Sequence, residues 1–277
     1  ISVNDGVQTR FNGIWGSGPS DVWAVGASGR IVHWNGAAWA SVASGTSNEL
    51  FAIWGTSSTN AWDVGQSGTT VRWNGVSWAT VPTGTYRDLT AVWGSGPNSI
   101  WAVSSYGPIL HWDGTVWTSQ IGGVNASLFG LWGSANNDVW AVGYGGGVAR
   151  WNGASWTASQ TTATGDLKGV WGTSSGDVWA VGTRGQLVHW TGVWQTVNSG
   201  TSNDLYGVWG AGGQVWAAGD LGTILRGPLR GCRHEDLGPP RCTSPTPTGR
   251  PAGSRRAWCD HSCLRAAAAR WKPCAWF

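Results

Sequence analysis

Residues 15–39 read WGSGPSDVWAVGASGRIVHWNGAAW, and this phrase decides the fold because it recurs along the chain. A Trp-Gly pair opens each of six copies, at intervals of 39 residues four times and then 38: Trp15, Trp54, Trp93, Trp132, Trp171 and Trp209. A fixed period of this length is typical of a repeat architecture. The period therefore takes precedence over local propensities in predicting the fold.

Each copy contains four short segments rich in Val, Ile and Trp, separated by Gly, Ser, Asn and Pro. This composition is typical of strands joined by tight turns. Four antiparallel strands in about 40 residues match a propeller blade in size and content. The sequence therefore predicts an all-β fold, a β-propeller built from four-stranded blades of about 39 residues.

An Asn-Gly pair follows the third strand in several copies, as at Asn35-Gly36. This pair favours a two-residue type I′ hairpin, whose two central residues both need a positive φ. In the first copy such a turn would place Trp34 opposite Ala37, and Val32 opposite Trp39.

The start of the chain bears on the number of blades. Residues 1–3 align with residues 40–42, which form the fourth strand of the first copy. We therefore expect six blades, closed into a ring by an N-terminal strand that completes the last blade and removes an exposed sheet edge. The alternative, a fragment of a seven-bladed or longer array, is left open by this start in the middle of a blade.

The composition changes near residue 226. Residues 1–226 carry 8 Lys or Arg against 11 Asp or Glu, a formal charge of −3, whereas residues 227–277 carry 9 against 3, a charge of +6. All five cysteines lie in the second part, without a C-x-x-C pair that would favour a metal site. We predict a propeller domain at 1–226 and an irregular Arg/Pro/Cys-rich tail at 227–277, either a frameshift product or disordered.

Several classes of function are disfavoured. No apolar run approaches the length needed to cross a bilayer, and the acidic repeat region argues against nucleic acid as a partner. The repeats contain no phosphate-binding loop, no H-E-x-x-H and no G-x-S-x-G motif, and their carboxylates form no evident catalytic pair. We therefore predict a protein that is not an enzyme, with no catalytic residues, no metal and no cofactor.

Three groups of residues are candidates for ligand binding. The fourth-strand tryptophans are expected to lie partly exposed on the outer rim, where aromatic rings could stack on a ligand: Trp39, Trp78, Trp117, Trp156 and Trp194. A second group alternates His and Arg just before the third-strand Trp: His33, Arg72, His111, Arg150 and His189, with Arg226 in the last copy. The third group lies in loops: Tyr86, Arg87, Tyr106 and Tyr144.

Each group also has a structural interpretation. The remaining Trp sets are predicted to form the core between blades, because neighbouring blades cover both faces of a strand. The His and Arg side chains are predicted to stack on neighbouring tryptophans. Tyr and Arg, by contrast, are enriched in binding patches, so the loop group is either a contact surface or ordinary loop variation.

The phrases WGSGPSDVWAVG and GRIVHWNGAAW resemble the Trp-rich propeller repeats of bacterial predicted secreted proteins. More distantly they resemble tectonin-type lectin repeats and sialidase-type Asp-box blades. The Asp-box turn is shortened at residues 35–39, so no sialidase activity is implied, whereas the tectonin resemblance implies sugar binding at repeated blade sites.

Together these features predict a multivalent, lectin-like carbohydrate-binding module outside the cell or on its surface. The alternative is a scaffold for protein interaction or assembly that uses one face of the disc. Glycans or a protein partner are therefore the expected ligands, without nucleic acid or membrane insertion. A lectin should bind several sugars per chain, whereas a scaffold should bind one partner per ring.

Overall fold

The repeats fold as six antiparallel sheets in the computed structural model, which describes residues 10–120 and 126–228. Blade 1 comprises β1 (Phe11–Gly18), β2 (Asp21–Gly26), β3 (Ile31–Trp34) and β4 (Trp39–Val42). Blade 2 comprises β5 (Leu50–Ser57), β6 (Asn60–Gly65), β7 (Thr70–Trp73) and β8 (Trp78–Thr80). Blade 3 comprises β9 (Leu89–Gly96), β10 (Ser99–Ser104), β11 (Ile109–Trp112) and β12 (Trp117–Gln120).

Blade 4 comprises β13 (Leu128–Ala135), β14 (Asp138–Gly143), β15 (Gly147–Trp151) and β16 (Trp156–Gln160). Blade 5 comprises β17 (Leu167–Ser174), β18 (Asp177–Gly182), β19 (Leu187–Trp190) and β20 (Trp194–Thr196). Blade 6 contains β21 (Leu205–Ala211), β22 (Gln214–Gly219) and β23 (Ile224–Pro228). Short 3-10 turns follow five of the second strands: Ala27–Gly29, Gln66–Gly68, Tyr144–Gly146, Thr183–Gly185 and Asp220–Gly222. The predicted six-bladed β-propeller is confirmed.

The first strand of each blade lies nearest the propeller axis. β1 packs on β5, and the same contact joins β5 to β9, β9 to β13, β13 to β17 and β17 to β21. The other strands of each blade follow outward in chain order. The predicted closing strand at residues 1–3, and the predicted tail from residue 229 onward, lie outside the described residues. In the part of the chain that is described, no helix is long and apolar enough to cross a membrane.

Each blade has a forward face, which carries its second-strand Trp toward the next blade, and a back face, which carries its third- and fourth-strand Trp. Trp62 on the forward face of blade 2 has no exposed surface. Its ring lies 4.9 Å from that of Trp112 and 5.3 Å, edge-on, from that of Trp117, both on the back face of blade 3. The same three-ring cluster forms around Trp23, Trp101 and Trp140. The predicted inter-blade tryptophan core is confirmed at these junctions.

The Trp-Gly pair joins consecutive blades near the axis. The ring of Trp15 lies over Gly55 of the next blade, where an added Cβ would come within 2.4 Å of the ring. The same close approach occurs at three further junctions, at Gly133, Gly172 and Gly210. At the remaining junction the Trp54 indole N–H donates to the carbonyl of Gly94 at 2.9 Å. At four of the five junctions glycine therefore follows the Trp because the preceding blade's indole occupies the space of a side chain.

Gly55→Ala is expected to lower the free energy of unfolding by about 2 kcal/mol, because its methyl group would overlap the Trp15 ring. Urea denaturation followed by circular dichroism measures the change. In a Trp15→Leu background the same substitution should cost clearly less, since the overlapping atoms are gone. Equal costs in both backgrounds would place the effect elsewhere in the blade.

The hairpin between the third and fourth strands differs from the prediction. Trp34 pairs with Trp39, so the loop contains four residues instead of two. The Asn35 side-chain oxygen accepts the N–H groups of Ala37 and Ala38, both at 3.0 Å, while Gly36 takes a φ of +94°. The two-residue type I′ prediction is wrong because the Asn side chain organises the turn from outside the strand pair.

Candidate functional site

The turns between second and third strands, with the crossovers that lead to the next blade, form one face of the propeller, here called the turn face. The central residue of this turn is left-handed in every blade, with φ between 52° and 60°. The residues at this position, one in each blade, are Ser28, Ser67, Tyr106, Gly145, Arg184 and Leu221. The backbone of the turn face is therefore nearly the same from blade to blade, while its side chains differ.

Aspartates at the ends of the crossovers hold these turns. The Asp88 carboxylate accepts the backbone N–H of Ser67 at 2.8 Å, and Asp204 accepts that of Arg184 at 2.8 Å. Asp166 accepts the N–H of Gly145 at 3.0 Å. Burial alone would raise the pKa of Asp166, but this hydrogen bond and Lys168, 3.0 Å away, outweigh it and lower the pKa. The anchors fix the turn face without using the outward side chains.

The loop residues singled out from the sequence lie on this turn face. Tyr86 is 92% exposed, Tyr106 68% and Tyr144 60%. Arg87 lies against the turn of blade 3, because a Cβ added to Gly107 would come 2.9 Å from its Cγ. The structure thus brings the blade 2 crossover, with Tyr86 and Arg87, next to the Tyr106 turn of blade 3.

Leu221 and Tyr206 extend the turn face to blade 6, and sequence reasoning missed both as site residues. Leu221 is 91% exposed at the centre of its turn. The available sequence signal was its place in the repeat, which is equivalent to that of the other turn centres. The Tyr206 hydroxyl donates to Asp220 at 2.9 Å, and this hydrogen bond raises the pKa of Tyr206.

The fourth-strand tryptophans are less accessible than expected. Trp78, Trp117 and Trp156 are only 5–7% exposed, and their indole N–H groups are buried without a hydrogen-bond partner. Each lies edge-on against the second-strand Trp of the preceding blade, which covers it. The expectation of partial exposure is wrong for these three residues, whereas Trp39 and Trp194 are partly exposed.

The alternating His and Arg side chains stack on the second-strand Trp of their own blade, as the structural interpretation predicted. His33, His111 and His189 lie 3.7–4.1 Å from the ring centroids of Trp23, Trp101 and Trp179. The guanidinium groups lie at 4.5–5.6 Å: Arg72 over Trp62, Arg150 over Trp140 and Arg226 over Trp216. These ring contacts engage each member of the set within its own blade, and Arg226 is the exposed member.

The same His and Arg side chains also form hydrogen bonds with the first residue of the second strand of their blade. Asp21 receives bonds from Ser17, from the Trp23 indole at 3.0 Å and from His33 at 2.7 Å. Burial would raise the pKa of Asp21, but the bonds from Ser17 and His33 lower it overall. Burial lowers the pKa of His189, despite its bond to Asp177.

Equivalent bonds recur in other blades. Arg150 pairs with Asp138, and Arg72 donates to Asn60 at 3.2 Å. The aspartates therefore accept a hydrogen bond from a Ser or Thr of the preceding turn and also fix the His or Arg.

A cavity of about 580 Å³ opens near the axis, toward the face opposite the turn face. Its walls are three first-strand tryptophans and small residues of blades 3 and 4: Trp54, Trp93, Gly94, Ser95, Trp132, Gly133, Ser134, Ala135 and Asn136. Over residues 10–120 and 126–228, no group of three or more His, Cys, Asp or Glu side chains is placed to bind a metal.

Comparison with known proteins identifies the fold. No protein-family profile and no curated protein sequence matches the chain. Among solved structures, YCF48 bound to D1 peptide is similar with a TM-score of 0.63 at 16% identity, over 79% of this chain and 77% of that one. YCF48 from Cyanidioschyzon merolae is similar with a TM-score of 0.62 at 17% identity, over 79% and 82%. The WD40 β-propeller domain of Doa1 is similar with a TM-score of 0.67 at 11% identity, over 79% and 78%.

The chain has the fold of propeller repeat proteins. At these identities the likeness extends to the fold alone.

Proposed function

We propose that this protein is a non-enzymatic protein-interaction scaffold that binds one partner on its turn face. The observation that carries the proposal is the exposure of Tyr86, Tyr106 and Tyr144 beside backbone groups that are hydrogen-bonded. The Asp88 carboxylate accepts from Ser67 and the Asp88 carbonyl from Ser105, while the Asp166 carboxylate accepts from Gly145. Rigid exposed tyrosines offer large contact area at a small entropic cost. The similarity to a propeller bound to a peptide supports this choice.

Multivalent carbohydrate binding is the less favoured function. A lectin with one site per blade needs an accessible aromatic ring at an equivalent place in each blade. Three of the five fourth-strand tryptophans are buried, and the His and Arg set is engaged within the blades. The turn face also differs in side chain from blade to blade, which favours one asymmetric partner over repeated identical sugars.

Selection of peptides from a displayed random library on the immobilised full chain tests the proposal. We expect selected peptides to bind one per chain, and a Tyr86→Ala/Tyr106→Ala/Tyr144→Ala variant to bind them at least about tenfold more weakly. Val76→Ala serves as the control, because Val76 is 84% exposed in the β7–β8 hairpin, away from the turn face.

Two results would contradict this function. Peptides that bind the triple variant and the control equally well would remove the turn face as the site. A glycan array hit with several equivalent sites per chain would instead favour the lectin function.

A further inference from the structure

Blade 3 departs from the repeat at two adjacent residues. The second strands of blades 1, 4 and 5 begin with Asp-Val, whereas β10 begins with Ser99-Ile100. No other copy has isoleucine at the second of these positions, which holds Val22, Ala61, Val139, Val178 and Val215. β10 pairs with β9, whose residues Gly94 and Ser95 line the cavity of about 580 Å³ described above, here called the axial cavity. Both departures therefore lie beside a wall of this cavity.

Ile100 changes the position of the Trp54 indole. At the four other described junctions the first-strand indole of one blade lies over the glycine of the next: Gly55, Gly133, Gly172 and Gly210. The space over Gly94 is instead filled by the Cδ1 methyl group of Ile100, which a valine lacks. The Trp54 indole N–H donates to the Gly94 carbonyl at 2.9 Å, and the displaced ring lines the axial cavity. One extra methyl group thus places an aromatic wall in this cavity.

Ser99 leaves the hydroxyl group of Ser95 without its usual acceptor. In three other blades the equivalent hydroxyl donates to an aspartate four residues later, in the pairs Ser17 and Asp21, Ser134 and Asp138, and Thr173 and Asp177. In blade 3 that place holds Ser99, which bonds to His111 at 3.2 Å. Among residues 10–120 and 126–228, the side chains of Ser95 and of Asn136 on the blade 4 wall have no hydrogen-bond partner. Both polar groups are therefore available to a ligand.

The lining of the axial cavity sets the chemistry of its ligand. The cavity has the volume of a small-molecule site. None of the residues that line it carries a charge, so a charged ligand would lose its hydration without gaining a counter-charge. An entirely apolar ligand would cover Ser95 and Asn136 and leave their polar groups unpaired, at a cost of about 1–3 kcal/mol each. The complementary ligand is therefore neutral, with an apolar ring face for an indole and hydroxyl groups at its edge.

We propose that the axial cavity binds one neutral pyranose sugar per chain. The C–H face of the sugar ring would lie on the Trp54 indole, and its hydroxyl groups would bond to Ser95 and Asn136. The site depends on two residues that blade 3 alone has together, so it is single and differs from the repeated lectin sites predicted on the fourth strands. It lies toward the face opposite the turn face, so it is independent of the proposed protein partner.

Saturation-transfer difference NMR of the full chain with a panel of sugars tests the proposal. The panel contains glucose, galactose, mannose, xylose, N-acetylglucosamine, lactose, maltose and cellobiose. Glucuronic acid and N-acetylneuraminic acid are the charged comparison, and indole is the apolar one. We expect transfer to the ring C–H protons of at least one neutral sugar. Isothermal titration calorimetry with that sugar should give one site per chain.

Two variants locate the site. Ile100→Val restores the common residue of the repeat, so Trp54 should lie over Gly94 and no longer present its ring to the cavity. We expect it to bind the sugar at least about tenfold more weakly. Asn136→Ala removes an exposed amide and should weaken binding by about threefold to tenfold. Val116→Ala is the control in the same blade, because Val116 is 50% exposed in the β11–β12 hairpin, outside the cavity.

Four results would overturn the proposal. The first is the absence of transfer to every neutral sugar of the panel. The second is stronger binding of indole or of the charged sugars, which would assign the cavity to another class of ligand. The third is binding by Ile100→Val or Asn136→Ala as tight as that of Val116→Ala. The fourth is more than one site per chain, which would favour repeated lectin sites instead.

Discussion

Trp62→Ala is expected to lower the free energy of unfolding by about 4 kcal/mol, a typical cost for removal of a buried aromatic side chain. The Trp62 ring is fully buried and contacts Trp112 and Trp117 of the next blade. Its loss would leave a cavity between two blades whose backbones are fixed by their own sheet hydrogen bonds. Urea denaturation followed by far-ultraviolet circular dichroism measures the loss.

Trp216→Ala is the matched control, since Trp216 holds the same position in blade 6. It is 40% exposed and stacks on Arg226, with its centroid 5.6 Å from the guanidinium carbon. We expect a cost of about 1 kcal/mol, because much of the ring already contacts water. Equal losses for the two variants would show that Trp216 is covered in solution and would contradict this prediction.

Asp63→Ala is expected to stabilise the protein by about 3 kcal/mol at pH 7 and to raise Tm by about 5–10 °C. Asp63 has no exposed surface, and neither carboxyl oxygen has a hydrogen-bond partner. It lies between Ile53 and Val71 on neighbouring strands. The other five copies place alanine at this position: Ala24, Ala102, Ala141, Ala180 and Ala217.

The gain from Asp63→Ala should depend on pH. Burial raises the pKa of Asp63 well above its ordinary value, so the folded chain keeps a proton that the unfolded chain releases near pH 4. The contribution of this group to stability is therefore complete below about pH 4 and is lost as the pH rises toward the folded pKa. The advantage of Asp63→Ala should grow over the same range.

Asp63→Asn separates charge from polarity, because the amide does not ionise. It should lose the pH dependence while gaining less stability than alanine, since its polar atoms remain buried. Urea denaturation of the three proteins at pH 5 and pH 7 makes the comparison. A wild-type protein as stable as Asp63→Ala at both values would contradict the prediction.

The sequence was sufficient to predict the blades and their inter-blade core, because a Trp at one place in every 39 residues has one environment in a repeated structure. It was insufficient for the exposure of Trp78, Trp117 and Trp156, because their burial depends on how far the neighbouring blade overlaps the outer strands. That overlap follows from the twist and packing of two blades, which one repeat does not contain.

The candidate site was only partly predictable for a similar reason. Tyr86, Tyr106 and Tyr144 stood out as bulky residues in loops of small ones, and the structure places them on one face. The roles of His33 and Arg150 were not predicted, because each depends on a carboxylate that lies twelve residues earlier, on the neighbouring strand. Alanine in the other five copies marks Asp63 as the exception at this position.

The left-handed turn centres have a consequence for how such a molecule can change. Five of the six are not glycine, although this conformation costs roughly 1 kcal/mol or more for a residue with a Cβ. The backbone nevertheless keeps the same shape with Ser, Tyr, Gly, Arg or Leu. Single substitutions at these six positions can therefore change the side chains of the turn face without changing its backbone. Because each blade contributes one such position, the surface of the turn face can vary one blade at a time.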